Sequence, residues 1–280
     1  MSFKGSLMNF LYKVSPKLSC TISYIHNRGK MPNFSNPQNL SEIVFAEIIS
    51  GKVNEYAPFV DKVEVRKYIE EWGYSDYLPK LYGVWRCAED IDFDSLPAKY
   101  ALKVNNGCGE HLFCRDLNFD TNKAKEHMKK LLTKDWSKER ESQYGKILPL
   151  VYAEELLEDP NNLQPVDYKF MCCDGRVDCC LIVIERGTKT GSKILTYSVP
   201  DWKRLDYIKG PENTTKEISK PNHLDEMIRI SRDIASRFGH VRVDFYEINN
   251  KIYIGELTFT PEGGMMTYFT YDALVALGHH

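Results

Sequence analysis

The sequence predicts an α+β protein, mainly helical at its N-terminal side and built from antiparallel strands toward its C-terminus. Three observations carry that reading. Two capped amphipathic runs precede residue 75, and the runs around Asp174-Gly175 and Asn249-Asn250-Lys251 have the turn chemistry of β-hairpins. The third is size: 280 residues at 42 % hydrophobic and 12 % aromatic supply ample core for one large or two modest globular units.

The helical part is read first. Residues 39–51 place Ser41 ahead of an apolar stripe that stops at Gly51. Residues 61–73 begin with Asp61, whose carboxylate can accept from free amides, and end at Gly73. Residues 78–85 read as extended. The stretch 91–99 is a turn region leading into a short strand, Tyr100 to Val104, which breaks at Asn105-Asn106-Gly107-Cys108-Gly109 and returns over 111–115. A basic amphipathic helix is expected over 121–134 and a strand over 148–157. From Asp167 the pattern is β: a hairpin of 168–173 and 176–184, a helix over 222–238, then the closing hairpin of 241–248 and 252–260. The expected division is a helical region over 1–96, a small lobe over 97–162 and a larger lobe over 163–278.

Charge excludes some functions and suggests others. With 37 basic and 39 acidic side chains the net charge is −2, so nothing in bulk recommends nucleic acid, whose affinity rests on surplus Lys and Arg. The distribution is uneven: the first 41 residues hold Lys4, Lys13, Lys17, Arg28 and Lys30 and no acid. That segment is expected to face an anionic acceptor or a membrane surface, a basic tail without a partner being the alternative. No run reaches the roughly 18 apolar residues of a spanning helix, and Asn9 and Lys13 interrupt the patch that a secretory signal would need. Eight cysteines in a core-rich chain of this size read as thiols of a reducing compartment, the cytoplasm.

The closing hairpin carries the chemistry. If Asn249, Asn250 and Lys251 form a three-residue loop, opposed residues sum to 500, which sets Asp244 across from Glu256 and Arg242 across from Thr258. Val241, Val243, Phe245, Tyr253, Leu257 and Phe259 then share the core face. Two opposed carboxylates repel unless a cation lies between them, and hard oxygen ligands of this kind suit Mg²⁺. A solvated strand face with Arg242 as counter-charge explains the same residues, and a two-residue loop would put Glu256 on the wrong side. Lys103, at a strand end before a glycine-containing loop, can pair phosphate oxygens while the loop amides close over them; an ordinary Asn-Gly turn is the alternative. Val151 to Leu157 is an apolar strand ending in Glu154 and Glu155, and Asp167-Tyr168-Lys169 starts the next hairpin.

In this order, Lys103 and the glycine loop, the strand ending in Glu154, the Asp167-x-Lys169 pair, Arg186 and the Arg242-x-Asp244 and Glu256-x-Thr258 pairs resemble the ATP-grasp superfamily. The closing stretch from Val241 to Gly264 is similar to the Mg²⁺-binding end of D-alanine–D-alanine ligases and ribosomal-protein glutamate ligases. Taken with residues 36–42, 61–66 and 96–103, the chain resembles the TupA-like ATP-grasp proteins of teichuronopeptide and capsule biosynthesis over residues 16 to 270. The resemblance implies two α+β lobes with antiparallel sheets that enclose ATP. It implies phosphate contacts from Lys103 and Lys169, a lid loop containing Asn106, Gly107, Cys108 and Gly109, adenine contacts from Glu154 or Glu155 and the Leu157 backbone, and ribose contact from Asp167. Asp244, Glu256 and Thr258 would hold Mg²⁺, Thr258 standing where the family usually has Asn. Arg186, Arg242 and Lys103 would carry catalysis. The implied activity is ATP-dependent joining of an amine, such as an amino acid, to a carboxylate on a sugar or glycan. Rival readings are a nucleotide-sugar transferase with Asp92 and Asp94 at its metal, and an ATP-grasp scaffold that binds without turnover. The cysteines at 172, 173, 179 and 180 cannot converge on zinc, because neighbours on a strand point to opposite faces.

Overall fold

A computed structural model describes residues 10–107, 109–116, 119–137, 140–159, 165–186 and 191–278. The chain folds as α+β with two antiparallel sheets. It forms two compact units. One contains Asn54 to residue 137 and Ser142–Glu158; the other contains the chain up to Val53, a short segment about Arg140, and everything from Asp159. Among the described residues no helix is long and apolar enough to cross a membrane.

The smaller unit begins with two short helices, α3 (Ala57–Val60) and α4 (Glu64–Glu71), preceded in the chain by α1 (Pro16–Arg28) and α2 (Leu40–Ser50) of the other unit. As expected, Asp61 serves the start of α4: its Oδ1 accepts from the N–H groups of Val63 (2.8 Å) and Glu64 (3.1 Å). The sheet comprises β1 (Leu81–Trp85), β2 (Tyr100–Val104), β3 (Leu112–Cys114) and β4 (Val151–Glu154), in the order β1-β4-β2-β3. Helix α5 (Thr121–Leu132), capped by Asp120, buries Ala124, Met128 and Leu131 against Leu102, Val104, Val151 and Ala153. Strand β4 is shorter than the expected 148–157, because Glu155 already leaves the ladder to pair with Lys80.

The larger unit carries a six-stranded sheet of β5 (Asp167–Cys173), β6 (Arg176–Ile184), β7 (Lys193–Ser198), β8 (Arg204–Leu205), β9 (His240–Ile248) and β10 (Lys251–Thr258), in the order β10-β9-β5-β6-β7-β8. Its core face bears Phe170, Val243, Phe245 and Leu257, with α6 (Leu224–Ala235) burying Leu224, Met227, Ile230 and Ile234. Asp174 and Gly175 both take positive φ, as a tight two-residue turn requires. The cysteines on its flanks are buried free thiols. Helix α2 is capped by Asn39, whose side chain accepts from Glu42 N–H, and not by Ser41, which is the second residue of the helix and is fully buried.

Helix α1 anchors a loop far along the chain. Arg28 donates to the carbonyls of Met265 (2.6 Å), Met266 (2.9 Å) and Phe269 (3.0 Å). The loop it holds follows β10 and has left-handed backbone at Glu262, Gly263, Gly264 and Met266. The described residues end in α7 (Tyr271–Gly278).

Candidate functional site

The closing hairpin reaches the expected pairing by an unexpected route. Asn249 and Asn250 alone form the turn, both at positive φ, with Lys251 opposite Ile248. That two-residue turn puts Tyr253 opposite Tyr246 and Ile254 opposite Phe245, so Ile252 and Ile254 take the core face and Tyr253 leaves it. A β-bulge at Gly255 then adds one residue to β10. Beyond it Glu256 lies opposite Asp244, Leu257 opposite Val243 and Thr258 opposite Arg242. The three-residue loop is therefore corrected, while the carboxylate pairing survives. Gly255 is required by a close approach: a Cβ there would sit 2.9 Å from the Tyr246 ring.

Strand β5 completes the arrangement, because Lys169 lies opposite Asp244 and Met171 opposite Arg242. Lys169, Asp244 and Glu256 thus form one row across three adjacent strands, with Met171, Arg242 and Thr258 in the next. Lys169 is ion-paired with Asp244 and lies 3.3 Å from Asp167. Asp167 is fully buried and ion-paired with Arg186. Arg242 donates from Nε and Nη2 to the two oxygens of Asp244, both at 2.7 Å, and from Nη2 to Glu256 (2.9 Å) and Thr258 (3.0 Å). Thr258 donates in turn to Glu256 at 2.8 Å. A guanidinium therefore lies between the two carboxylates, which relieves their repulsion.

Burial shapes the titration of this cluster. It pulls Lys169 below the ordinary lysine range, against the opposing pull of Asp244. Burial acts in the same sense on Arg242, but Asp244 and Glu256 outweigh it and hold the guanidinium firmly protonated. Withdrawal from water pushes Tyr246 up to about 12, with the neighbouring Arg186 acting the other way.

The donor atoms of Asp244, Glu256 and Thr258 are all hard oxygens, which fit a small divalent cation. In this arrangement Asp244 is already neutralised by Lys169 and Arg242, so a bound ion would have to take over those contacts. Among the described residues no cluster of three or more His, Cys, Asp or Glu stands ready to hold a metal.

In the smaller unit Lys103 on β2 donates to Glu154 Oε1 on β4 at 2.7 Å, and Arg66 of α4 lies 3.5 Å from Oε2. Glu154 is buried; Glu155 is turned away, its carboxylate accepting from Lys80 N–H and its own N–H donating to Lys80 O. Leu157 is half-buried just beyond. The glycine loop is braced from below: Asn105 binds Asp61, Leu148 and Leu150, and Lys62 Nζ donates to Gly107 O at 2.8 Å. A Cβ on Gly107 would meet Val104 and Trp136 at under 3 Å, and Gly109 has φ +76°. Asn106 is buried with its Oδ1 unpartnered, an acceptor available to a ligand donor. Cys108 lies outside the described residues. Asp92 and Asp94 sit at a single 3-10 turn, Phe93–Ser95.

Sequence reasoning missed Arg66 and Tyr246. Arg66 reads as one charge of a surface helix and reaches Glu154 only through tertiary packing. Tyr246 could have been found from its register, since it lies two residues beyond Asp244 and so shares its face.

The family model described as TupA-like ATPgrasp matches residues 42–280. This chain belongs to the TupA-like ATP-grasp family. No curated protein matches it. Among solved structures, the TupA-like chain is similar to D-alanine–D-alanine ligase from Bacillus anthracis complexed with ATP, at 14 % identity and TM-score 0.48 over 78 % of this chain and 60 % of that one. It is similar to the ATP-grasp ligase PsnB complexed with minimal precursor, at 13 % identity and TM-score 0.42 over 81 % and 61 %. N5-carboxyaminoimidazole ribonucleotide synthetase from Thermus thermophilus matches at 10 % identity and TM-score 0.41 over 72 % and 45 %. The chain therefore spans about 60 % of the length of the first of these structures.

Proposed function

We propose that this TupA-like protein is an ATP-dependent carboxylate–amine ligase. A carboxylate attacks the γ-phosphorus of ATP to give an acyl phosphate and ADP; an amine then attacks the acyl carbon, phosphate leaves, and the amine's proton passes to solvent. The observation that carries the reading is the row Lys169, Asp244, Glu256 with Arg242 beside it, which concentrates two cations and two carboxylates on one sheet face.

Phosphoryl transfer asks the protein chiefly for positioning and charge stabilisation. Lys103 and Lys169 are assigned to phosphate oxygens, Arg186 and Arg242 to charge on the transferring group and the acyl intermediate. Glu154 or Glu155 with the Leu157 backbone is assigned to adenine, Asp167 to ribose, and Asn106 to Gly109 to the loop over the phosphates. Asp244, Glu256 and Thr258 would hold Mg²⁺, which supplies neutralisation of phosphate charge when bound. The carboxylate is assigned to a uronic-acid unit of a surface or capsular polysaccharide or its precursor, and the amine to an amino acid. The support is family membership.

ADP release from ATP, Mg²⁺, a uronic-acid panel and an amino-acid panel tests the proposal. ADP that needs both co-substrates, and that disappears in Glu256→Ala and on chelation of Mg²⁺, is the expected result. Undiminished activity in Glu256→Ala, or ATP binding without turnover under every combination, would overturn it.

A further inference from the structure

Helix α1 is built the wrong way round for a surface helix. It buries Ser19, Cys20, Ser23 and Tyr24 and exposes Leu18, Ile22 and Ile25, which recur at spacings of four and three and so form one stripe. Residues 10–14 form a separate helical turn, set off from α1 by the extended backbone of Ser15, and expose Phe10 and Val14, each 66 % accessible. The buried face is already committed, through the Tyr24–Phe45 ring contact and the hydrogen bond from Asn39 to Tyr24. Among the described residues the apolar stripe therefore has no role in the chain's own packing, and it collects exposed hydrophobic side chains that surfaces ordinarily scatter.

The charge beside the stripe selects what covers it. Lys13 and Lys17 are exposed, and no carboxylate occurs before Glu42. The other two described cations of the segment are spent internally, Arg28 on three loop carbonyls and Lys30 over the Tyr271 ring at 3.6 Å. A second copy packed on the same face would set the lysines of one segment against those of the other with no acid to offset them. An apolar strip edged by lysines fits a layer that is anionic at its surface and apolar just beneath.

We infer that residues 10–25 form an interfacial anchor that lies in the plane of an anionic lipid surface, with Phe10, Val14, Leu18, Ile22 and Ile25 inserted at the headgroup boundary and Lys13 and Lys17 on lipid phosphates. The inference goes beyond the ligase reading and stands without it, since it concerns the helix face turned away from the protein.

Co-sedimentation of the full chain with vesicles of phosphatidylcholine alone, and of phosphatidylcholine mixed with phosphatidylglycerol, tests it. The expected result is binding to the mixed vesicles only, reversed by high salt. Replacing Lys13 and Lys17 by Gln should weaken partitioning by about fivefold per lysine, and Leu18→Glu/Ile22→Glu should abolish it while leaving the thermal melt unchanged. Because both substituted positions are solvent-facing, a loss of fold is distinguished by that melt, and an Ile22→Trp chain gives a second readout through a blue shift on adding mixed vesicles. Failure to sediment with either vesicle, equal binding by Leu18→Glu/Ile22→Glu, or a solution dimer that this variant dissociates would each overturn the inference.

Discussion

Lys169 and Asp244 face one another across β5 and β9 and form an ion pair in which both side chains are almost withdrawn from water. A buried pair of this kind contributes little net stability when intact, because desolvation offsets the attraction, but removing one partner strands the other. Asp244→Ala leaves both Lys169 and Arg242 without their shared carboxylate and should cost about 3–5 kcal/mol in urea denaturation. Lys169→Met combined with Asp244→Leu should recover only the part of that loss due to Lys169, because Arg242 is then left with Glu256 as its remaining carboxylate partner. On the proposed mechanism it would not recover ADP release.

The depressed Lys169 titration gives a pH prediction with a definite sign. Burial lowers its folded-state value, so as pH rises toward the ordinary lysine range the native protein gives up this proton before the unfolded chain does. Between the two values the unfolded state binds more protons, and this group makes stability rise with pH there. It opposes folding fully below the folded-state value. In matched urea titrations across the alkaline limb, Lys169→Met should show a less positive slope than the parent. An identical slope would contradict the assignment.

Gly255 is the one residue of β10 that the bulge leaves without a partner on β9. Gly255→Ala places a Cβ 2.9 Å from the Tyr246 ring and should destabilise by about 1–3 kcal/mol. Deleting Gly255 outright removes the bulge but leaves Glu256 directly after Ile254 and still opposite Asp244, so the pairing and cooperative unfolding should both be kept. The comparison of the two variants by denaturation separates crowding from loss of the bulge.

Thiol reactivity checks the interior of the larger unit. Cys20 and Cys173 are pushed up to about 12 by burial, and Cys172, Cys179 and Cys180 rise as well. Cys87 is exposed. A thiol reagent on the native protein should modify Cys87 rapidly and those five only after denaturation, as peptide mapping would record.

Patterns local in sequence were readable without the structure. The Asp174-Gly175 turn, the strand carrying Lys103 and the helix after Asp61 all depend on a few neighbouring residues, and the family resemblance follows from motif order. The bulge was not readable. A turn of two residues and a bulge of one sum to the same register as a turn of three, and only the Tyr253 and Ile254 faces distinguish them. Arg66 meeting Glu154 and Arg28 meeting the loop after β10 were out of reach for another reason: each is a contact between distant segments with no periodicity to announce it. Charge counting assigned Arg28 to a surface field, whereas packing made it an interior clamp.

That clamp bears on where this protein can be cut. Four left-handed positions among residues 262–266, two of them at Glu262 and Met266, are conformations that L side chains adopt at a cost of roughly 1–3 kcal/mol each. Three of the bonds that hold them come from a residue upstream of Leu40, and the family match begins only at residue 42. A chain trimmed to residues 42–280 would keep every candidate site residue and lose the donor that holds the backbone just beyond Thr258. For this protein the boundary of the family match and the boundary of the bonds that hold this loop are different places.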